Sequence, residues 1–287
     1  MDYEAFCGKQ YNRLYKKYYN HYEKTHRGKN LQKNAELYAQ KKAIEQSFIT
    51  ATSMYSDVDP ALLWRAIEIA HMRRKTRYGK RVIVDDALIA DINSAAQSWK
   101  KSSGHAFEEL ICNTVNPELE KSNIKIVLQK ELTKMLKQNQ ISNSTKVIEW
   151  LRSKTTRNTF DLFAVLIHED DKYVFGCVQS KTSIRDRVGR DYPFSKEAME
   201  NRLWSAAITL DGDFLTLPKF KGMVNGGTSD YAENGWHGMY VLSAIKTEDR
   251  IFHMDRNFDV FIKHTIEVSK SAVFAKDEFD HTWTPTT

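Results

Sequence analysis

The chain has 287 residues, a formal net charge of +6, 41% hydrophobic residues and 28% charged residues. This composition is typical of a folded globular protein, and it excludes a disordered tail, a collagen-like fibre and a coiled-coil rod. The length allows one large domain or two smaller ones, and it is sufficient to bury a sizeable core.

Cysteine usage and hydropathy predict a cytoplasmic protein. The three cysteines, Cys7, Cys112 and Cys177, are an odd number without a CxxC pair, so we expect neither a disulfide framework nor a structural zinc site. The first residues, MDYEAFCGKQ, lack the apolar segment of a secretory signal. No run approaches the roughly 20 apolar residues that span a bilayer, so we expect no membrane partner.

Basic residues are concentrated at one end of the chain. Residues 1–80 contain 16 Lys plus Arg against 8 Asp plus Glu, whereas the rest of the chain has a slight acidic excess. Such a gathered basic region, with a pI near 9.0, could bind a polyanion such as a nucleic acid. The alternative is a solvated helical surface.

The first hundred residues predict a helical region. Apolar and aromatic residues recur at spacings of three and four, as in Tyr11, Leu14, Tyr15, Tyr18 and Tyr22. A second helix is predicted around residues 37–49. A third opens at Asp59-Pro60, because Asp can cap a helix and Pro fits its first turn, and a fourth starts at Asp85-Asp86. The predicted helical region is 1–100.

Beyond Ser103 the pattern changes to one of mixed helices and strands. Residues 103–111 predict a capped amphipathic helix, and residues 124–128 alternate like a strand. Two further strands, 159–168 and 172–180, are separated by a short polar link and predict a hairpin. A helix over 195–210 and strands over 220–224 and 238–242 complete the prediction. The whole predicts an α/β domain over 101–287.

The predicted hairpin carries a pair of residues suited to phosphodiester hydrolysis. Asp161 lies early on one strand and Lys181 ends the next, so antiparallel pairing can bring them to the same end of the sheet. Carboxylate oxygens hold Mg²⁺, and the metal lowers the pKa of bound water. A lysine neutralises developing charge and orients the attacking water.

The acid usual two residues before such a lysine is replaced by Gln179. A neutral amide is a weaker Mg²⁺ ligand than a carboxylate, so a second acid must come from elsewhere. Glu197 and Glu200 are one turn apart on the helix predicted after the hairpin. Taken alone, this pattern is weak evidence for a nuclease site, because a strand aspartate and a strand-end lysine often occur by chance.

The next residues, Arg185-Asp186-Arg187, could read DNA. Arginine can donate two hydrogen bonds to guanine O6 and N7, and aspartate can accept from the cytosine N4 amino group. Their position a few residues after Lys181 would couple reading to cutting. The alternative interpretation is a surface cluster of ion pairs.

These segments resemble a known family. SWKKSSGHAFEE, VFGCVQSKTSIRDRV, LDGDF, MVNGGTS and NGWHGMY are similar to Type II restriction endonucleases of the PD-(D/E)XK superfamily, in the BsaWI-like branch that recognises CCGG or CCNGG cores. The resemblance covers about residues 99–236 and is looser over the first hundred residues. It implies a mixed β-sheet core flanked by helices, preceded by an N-terminal helical region.

The resemblance also implies residue roles. Asp161 and Glu200 correspond to the metal-binding acids, and Lys181 corresponds to the catalytic lysine. Phe160 stands where proline is common. Glu108 corresponds to an auxiliary acid on the preceding helix. Glu197 is the alternative to Glu200, and Glu109 is the alternative to Glu108. The element that reads the core corresponds to Arg185, Asp186 and Arg187.

The partners implied by the resemblance are double-stranded DNA with a short palindromic site, a Mg²⁺ cofactor and a cognate methyltransferase in the same bacterial cytoplasm. A palindrome has two-fold symmetry, so a homodimer is the simplest match, and larger oligomers stay open. We expect the basic helical region over 1–100 to help wrap DNA or to join subunits. Two other classes of protein stay open as well. One is a non-catalytic sequence-specific DNA-binding regulator, and the other is a structure-specific repair nuclease with the same core.

Overall fold

The computed structural model describes residues 2–76, 86–183, 188–243, 245–274 and 279–286. These residues contain nine α-helices and six β-strands. The chain divides into two compact units, Met1–Glu109 and Leu110–Thr287. The division falls within a helix, a short distance after the boundary predicted at residue 100. No helix of the described residues is both long and apolar enough to cross a membrane.

The first unit is helical, as its sequence predicts. Its helices are α1 (Tyr3–Thr25), α2 (Leu31–Met54), α3 (Pro60–Thr76) and the first part of α4 (Asp86–Leu119). The Asp59 side chain accepts a hydrogen bond of 2.7 Å from the Ala61 N–H, so the predicted aspartate cap of α3 is confirmed. This bond satisfies a backbone donor that has no partner within the helix.

The tyrosine stripe of α1 packs inside this unit. Tyr11 and Tyr15 are buried, and the Tyr11 hydroxyl lies 2.9 Å from His71 Nδ1 on α3. Burial raises the pKa of Tyr11 and lowers that of His71 to about 4. A further aromatic cluster surrounds Trp64, with Trp99 at 6.0 Å between ring centroids. These tyrosines therefore belong mainly to the core.

The helix predicted to begin at Ser103 does not begin there. Instead, α4 continues without a break from Asp86 to Leu119. Ser102 and Ser103 are buried, and the Ser102 hydroxyl donates a hydrogen bond of 2.7 Å to Gln40 Oε1 on α2. The turn that precedes Ser103 is thus held against α2, and Ser103 lies inside a continuous helix rather than at its start.

The second unit is built on a six-stranded mixed sheet in the order β1-β2-β3-β4-β5-β6. The strands are β1 (Ile124–Leu128), β2 (Leu162–His168), β3 (Asp171–Ser183), β4 (Trp204–Asp211), β5 (Gly238–Val241) and β6 (Ile251–His253). Strands β1 to β3 are antiparallel, which confirms the predicted hairpin. Strands β3 to β6 are parallel.

Helices cover this sheet. They are the end of α4, α5 (Gln129–Lys137), α6 (Thr145–Thr156), α7 (Val188–Glu200), α8 (Pro218–Asn225) and α9 (Asp259–Phe274). One core cluster joins Phe163 and Cys177 of the sheet to Leu132 of α5 and Leu151 of α6. On α4, Asn116 exchanges two hydrogen bonds with the backbone of Ile126, at 2.8 and 2.9 Å, and so covers the edge strand β1.

Two further predicted elements are wrong. The helix predicted over 195–210 ends at Glu200, and β4 follows. Strand β4 is buried along nearly all its length, so both its faces meet the core and the alternation that marks a strand is missing. The strand predicted over 220–224 is instead helix α8, in which Pro218 occupies the first turn, as proline favours.

Candidate active site

Asp161 and Lys181 form an ion pair at one end of the hairpin. Asp161 directly precedes β2, and the register Leu162↔Val178 places it beside the last residues of β3. Lys181 Nζ lies 2.5 Å from Asp161 Oδ2, and the Ser180 N–H donates to the same oxygen at 2.8 Å. The predicted convergence of these two residues is confirmed, whereas their catalytic roles stay predictions.

The Asp161 backbone is held from both sides. Its N–H donates to the Val178 carbonyl and its carbonyl accepts from the Gln129 N–H, both at 3.2 Å. The Gln129 side chain also donates to Asn158 Oδ1 at 2.6 Å and to the Thr155 carbonyl. The aspartate backbone is therefore held between β3 and the first residue of α5. The Gln129 side chain also links this point to the end of α6, and no sequence motif marked Gln129 for this role.

Phe160 explains how the chain does without the common proline. Its side chain is fully buried and lies 6.0 Å from Trp150 of α6 and 6.2 Å from Phe163 of β2, measured between ring centroids. Packing on both sides restrains the residue before Asp161. A proline would restrain the same position through its ring.

The two candidate second acids lie at the other end of α7. Helix α7 runs antiparallel to β3 and β4, because it returns the chain between parallel strands. The Gln179 side chain contacts the Asp191 carbonyl, and one turn later the Ser195 hydroxyl contacts that of Ser205, which pairs with Cys177. Each further turn of α7 therefore leads away from Lys181.

Glu200 is the last residue of α7 and is exposed, so the structure does not bring it to the Asp161–Lys181 pair. Glu197 lies nearly a turn closer and pairs with Lys154 of α6. The Lys154 side chain is 6% exposed, and its ammonium lies over the rings of Trp150 and Phe194, at 5.4 and 5.3 Å. The helix orientation thus favours Glu197 over Glu200, the reverse of the order expected from the sequence.

Glu108 and Glu109 lie on α4 in the first unit and differ in their contacts. Glu109 pairs with Lys41 and, at 3.5 Å, with Lys42. Burial alone would raise the pKa of Glu109, but these two lysines outweigh it and lower that pKa below its usual value. Glu108 lies 3.3 Å from the exposed His105. Glu109 is therefore already committed to ion pairs with α2.

The predicted reading residues Arg185, Asp186 and Arg187 lie outside the described residues. The described chain ends β3 at Ser183 and resumes at Val188 with α7. The glycine-rich loop over 225–229, which belongs to a segment that carried the resemblance, packs closely at Gly226 and is exposed from Gly227 onwards. Its Gly226 has φ +74, and a Cβ there would come 2.6 Å from the Asn234 N, so this position requires glycine.

His237 is buried between backbone partners. Its Nδ1 accepts from the Ser205 N–H at 2.9 Å, which leaves Nε2 to donate to the Asp280 carbonyl at 2.8 Å. Burial lowers the pKa of His237 to about 3, so its ring is neutral at physiological pH. His237 therefore joins β4 to the segment that contains Asp280.

The site suits a hard divalent cation. Both of the side-chain hydrogen bonds described above use Oδ2 of Asp161, so Oδ1 can face a cation. No group of three His, Cys, Asp or Glu side chains gathers within the described part of the chain. Mg²⁺ fits this arrangement, because it is commonly held by one or two carboxylates together with substrate phosphates and water.

Comparisons with known proteins identify the family and support the fold. The family model for BsaWI restriction endonuclease type 2 matches residues 133–278. A solved BsaWI–DNA complex is 41% identical, with a TM-score of 0.69 over 100% of both chains. A solved AgeI–DNA complex shares the fold, with 19% identity, a TM-score of 0.55 and coverage of 90% of this chain and 91% of that one.

A curated relative, the type II restriction enzyme AgeI of Thalassovita gelatinovora, is 27% identical over 175 residues, 59% of this chain. The matched part spans 55% of that enzyme, about half its length. The fold and the family match define the class, the type II restriction endonucleases. Within that class, the chain belongs to the BsaWI restriction endonuclease family.

Proposed function

We propose that this protein is a Mg²⁺-dependent type II restriction endonuclease that hydrolyses both strands of double-stranded DNA. The target is a short palindromic site with a CCGG or CCNGG core, and the products carry 5′-phosphate and 3′-hydroxyl ends. The Asp161–Lys181 ion pair at the end of the β2–β3 hairpin is the observation that carries the proposal. This pair places a carboxylate that can bind a metal beside the Lys181 ammonium group at one end of the sheet.

In the proposed mechanism, Asp161 contributes a carboxylate oxygen to the metal site. When bound, Mg²⁺ supplies charge at the phosphoryl oxygen and makes a bound water more acidic. Lys181 orients the attacking water and neutralises charge that develops on the phosphate. The Ser180 N–H, at 2.8 Å, keeps the Asp161 carboxylate aligned when Lys181 turns towards DNA.

The other roles extend this proposal. Arg185, Asp186 and Arg187 read the C·G pairs of the core. Glu108 supports the metal network, ahead of Glu109, whose carboxylate is engaged by Lys41 and Lys42. A homodimer, with larger oligomers open, matches the symmetry of a palindrome. A methyltransferase of the same specificity protects the host DNA.

Digestion of a plasmid tests the proposal. In millimolar Mg²⁺ we expect discrete fragments whose sequenced ends share a CCGG or CCNGG core, and no cleavage in EDTA. Asp161→Ala should lower the cleavage rate by more than about 100-fold and retain DNA binding. The control is Asp170→Ala, at the exposed hairpin turn, which should cut normally.

The second metal acid is tested by comparing Glu197→Gln with Glu200→Gln. Loss of a metal ligand raises the Mg²⁺ concentration required for half-maximal cleavage, and we expect the larger increase for Glu197→Gln. An undigested plasmid, or an unimpaired Asp161→Ala variant, would favour a DNA-binding regulator. Fragments without discrete ends would favour a structure-specific repair nuclease.

A further inference from the structure

Gln179 replaces the acid that usually precedes the catalytic lysine, and its side chain is engaged within the protein. The residue is 1% exposed. Its Oε1 accepts a hydrogen bond of 2.8 Å from Trp236 Nε1, and its Nε2 donates one of 3.3 Å to the Asp191 carbonyl. Both ends of the amide therefore have protein partners.

The chemistry of these partners defines the orientation of the amide. An indole N–H can only donate and a backbone carbonyl can only accept. The oxygen of Gln179 must therefore face Trp236, and its nitrogen must face Asp191. Neither methionine nor glutamate in its charged form has both a donor and an acceptor to meet this pair.

The segments that Gln179 joins also pack directly on each other. The Tyr192 ring of α7 meets the Trp236 ring at 5.9 Å with an interplanar angle of 71°. The Ser195 hydroxyl, also on α7, donates to the Gly235 carbonyl. A Cβ at Gly235 would come 2.6 Å from the Tyr192 ring, so this close approach requires glycine.

We propose that Gln179 is a positioning residue for the Asp161–Lys181 pair. Its amide fixes the last part of β3 to α7 and to the segment before β5. Lys181 is two residues further on the same face of the strand, so its amine keeps its direction while that part of β3 stays fixed. The hydrogen bond from Gln179 to the Asp191 carbonyl also joins β3, which precedes residues 184–187, to α7, which follows them.

This inference rests on the proposed function, because cleavage is its readout. It also accounts for the missing acid. A carboxylate at position 179 would point one of its oxygens at the Asp191 carbonyl, and two acceptors cannot form a hydrogen bond. A protonated carboxyl has one donor and one acceptor, like the amide, and could make both bonds.

The test is therefore Gln179→Glu, assayed at several pH values as a ratio to the wild-type rate. Burial raises the pKa of a carboxyl group. The ionisable residues on the surrounding elements include Lys181 on β3 and Asp161 before β2. Helix α7 carries Arg190, Asp191, Tyr192, Lys196, Glu197 and Glu200, and the segment before β5 carries Glu233 and His237. The cations among these residues lower the pKa of a carboxyl group at position 179, whereas burial and the neighbouring acids raise it. The pH at which the rate ratio changes therefore reports the net shift of that pKa.

We expect Gln179→Glu to lose about tenfold or more in kcat at pH 8.5, because a buried partner is left unsatisfied. The ratio should recover as the pH falls to 6 and the carboxyl takes up a proton. Gln179→Met should be impaired equally at both pH values. The control Gln140→Glu, at an exposed glutamine, should match the wild type throughout.

Three outcomes would overturn the inference. The first is a Gln179→Glu variant that cuts at the wild-type rate at pH 8.5. The second is a Gln179→Glu variant that reaches half-maximal cleavage at a lower Mg²⁺ concentration than the wild type, because position 179 would then face the metal. The third is a loss independent of pH and proportional to a loss of folded protein. An Asp161→Ala variant assayed in parallel separates these results from failure of the proposed active site, since it alone reports that failure.

Discussion

At the scale of single residues, several ionisable side chains are buried, and their partners lie within the protein. Lys154 extends into the core, where it forms an ion pair with Glu197 and lies over two aromatic rings. His237 is neutral and bonded through both ring nitrogens. A buried group of this kind links folding to pH, because the unfolded chain exposes it to water.

His237 should make the protein less stable in acid. Its folded pKa of about 3 lies below the usual histidine value of about 6.5, so the unfolded state takes up the proton first. The stability it contributes is complete above about pH 6.5 and is lost as the pH falls towards 3. The full loss is on the order of 3–5 kcal/mol.

Denaturant unfolding at pH 7.5, 6 and 5 would measure this effect. His237→Gln should flatten the fall in the free energy of unfolding over that range, although it starts from a lower value. The control His21→Gln, at an exposed histidine, should leave the fall unchanged. An equal fall in wild type and His237→Gln would show that other groups cause it.

At the scale of helices and strands, long-range contacts override local signals. Helix α4 passes through Ser103 and Gly104, where the sequence predicts a helix start, and the turn before them is held by hydrogen bonds from Ser98 and Ser102 to Gln40 of α2. Strand β4 lacks alternation because it is buried on both faces. In both cases a partner distant in sequence determines the structure.

The continuity of α4 can be tested with Gly104→Ala. A Cβ at this position would meet nothing within 4 Å, and alanine is favoured over glycine inside a helix by about 1 kcal/mol. We expect a higher Tm in thermal unfolding, with cleavage unchanged. Gly235→Ala is the contrasting variant and should lower the Tm, because a Cβ there would contact Tyr192 at 2.6 Å. An unchanged or lower Tm for Gly104→Ala would argue against a continuous helix.

At the scale of the entire chain, the excess of positive charge belongs to the N-terminal region. Within the first unit, a cleft of about 770 Å³ between α1 and α3 is lined by Lys9, Arg73 and Arg74, together with Asp2 and Glu4. The Arg74 guanidinium lies 3.7 Å from the centroid of the Tyr15 ring. The role of this region in wrapping DNA or joining subunits stays a prediction.

If the region contacts phosphates, Arg73→Gln should weaken DNA binding equally for all sequences. The slope of the logarithm of the binding constant against the logarithm of salt concentration should become shallower by about 0.9 for each phosphate that the protein no longer neutralises. Arg65→Gln is the control, because Arg65 is 65% exposed and pairs with Glu68. An unchanged slope for Arg73→Gln would assign the charge to solubility or to association between subunits.

Local features could be predicted from the amino-acid sequence alone. The helices of the first unit, strand β1 and the β2–β3 hairpin follow from periodicity and short links, since their contacts lie close along the chain. The meeting of Asp161 and Lys181 follows from that hairpin, because antiparallel strands joined by a short turn must bring such residues together. The resemblance to BsaWI-like enzymes in the KTSIRDR and NGGTS segments correctly indicated the family.

The remaining features depend on contacts between distant parts of the chain. The burial of β4, the helical state of Pro218–Asn225 and the pairing of Glu197 with Lys154 all require partners far apart in sequence. From the sequence, Gln179 is only a weakened metal ligand, whereas in the fold its amide is bonded to Trp236 and Asp191. Local patterns describe a residue's neighbours along the chain, whereas hydrogen bonding and burial depend on its neighbours in space.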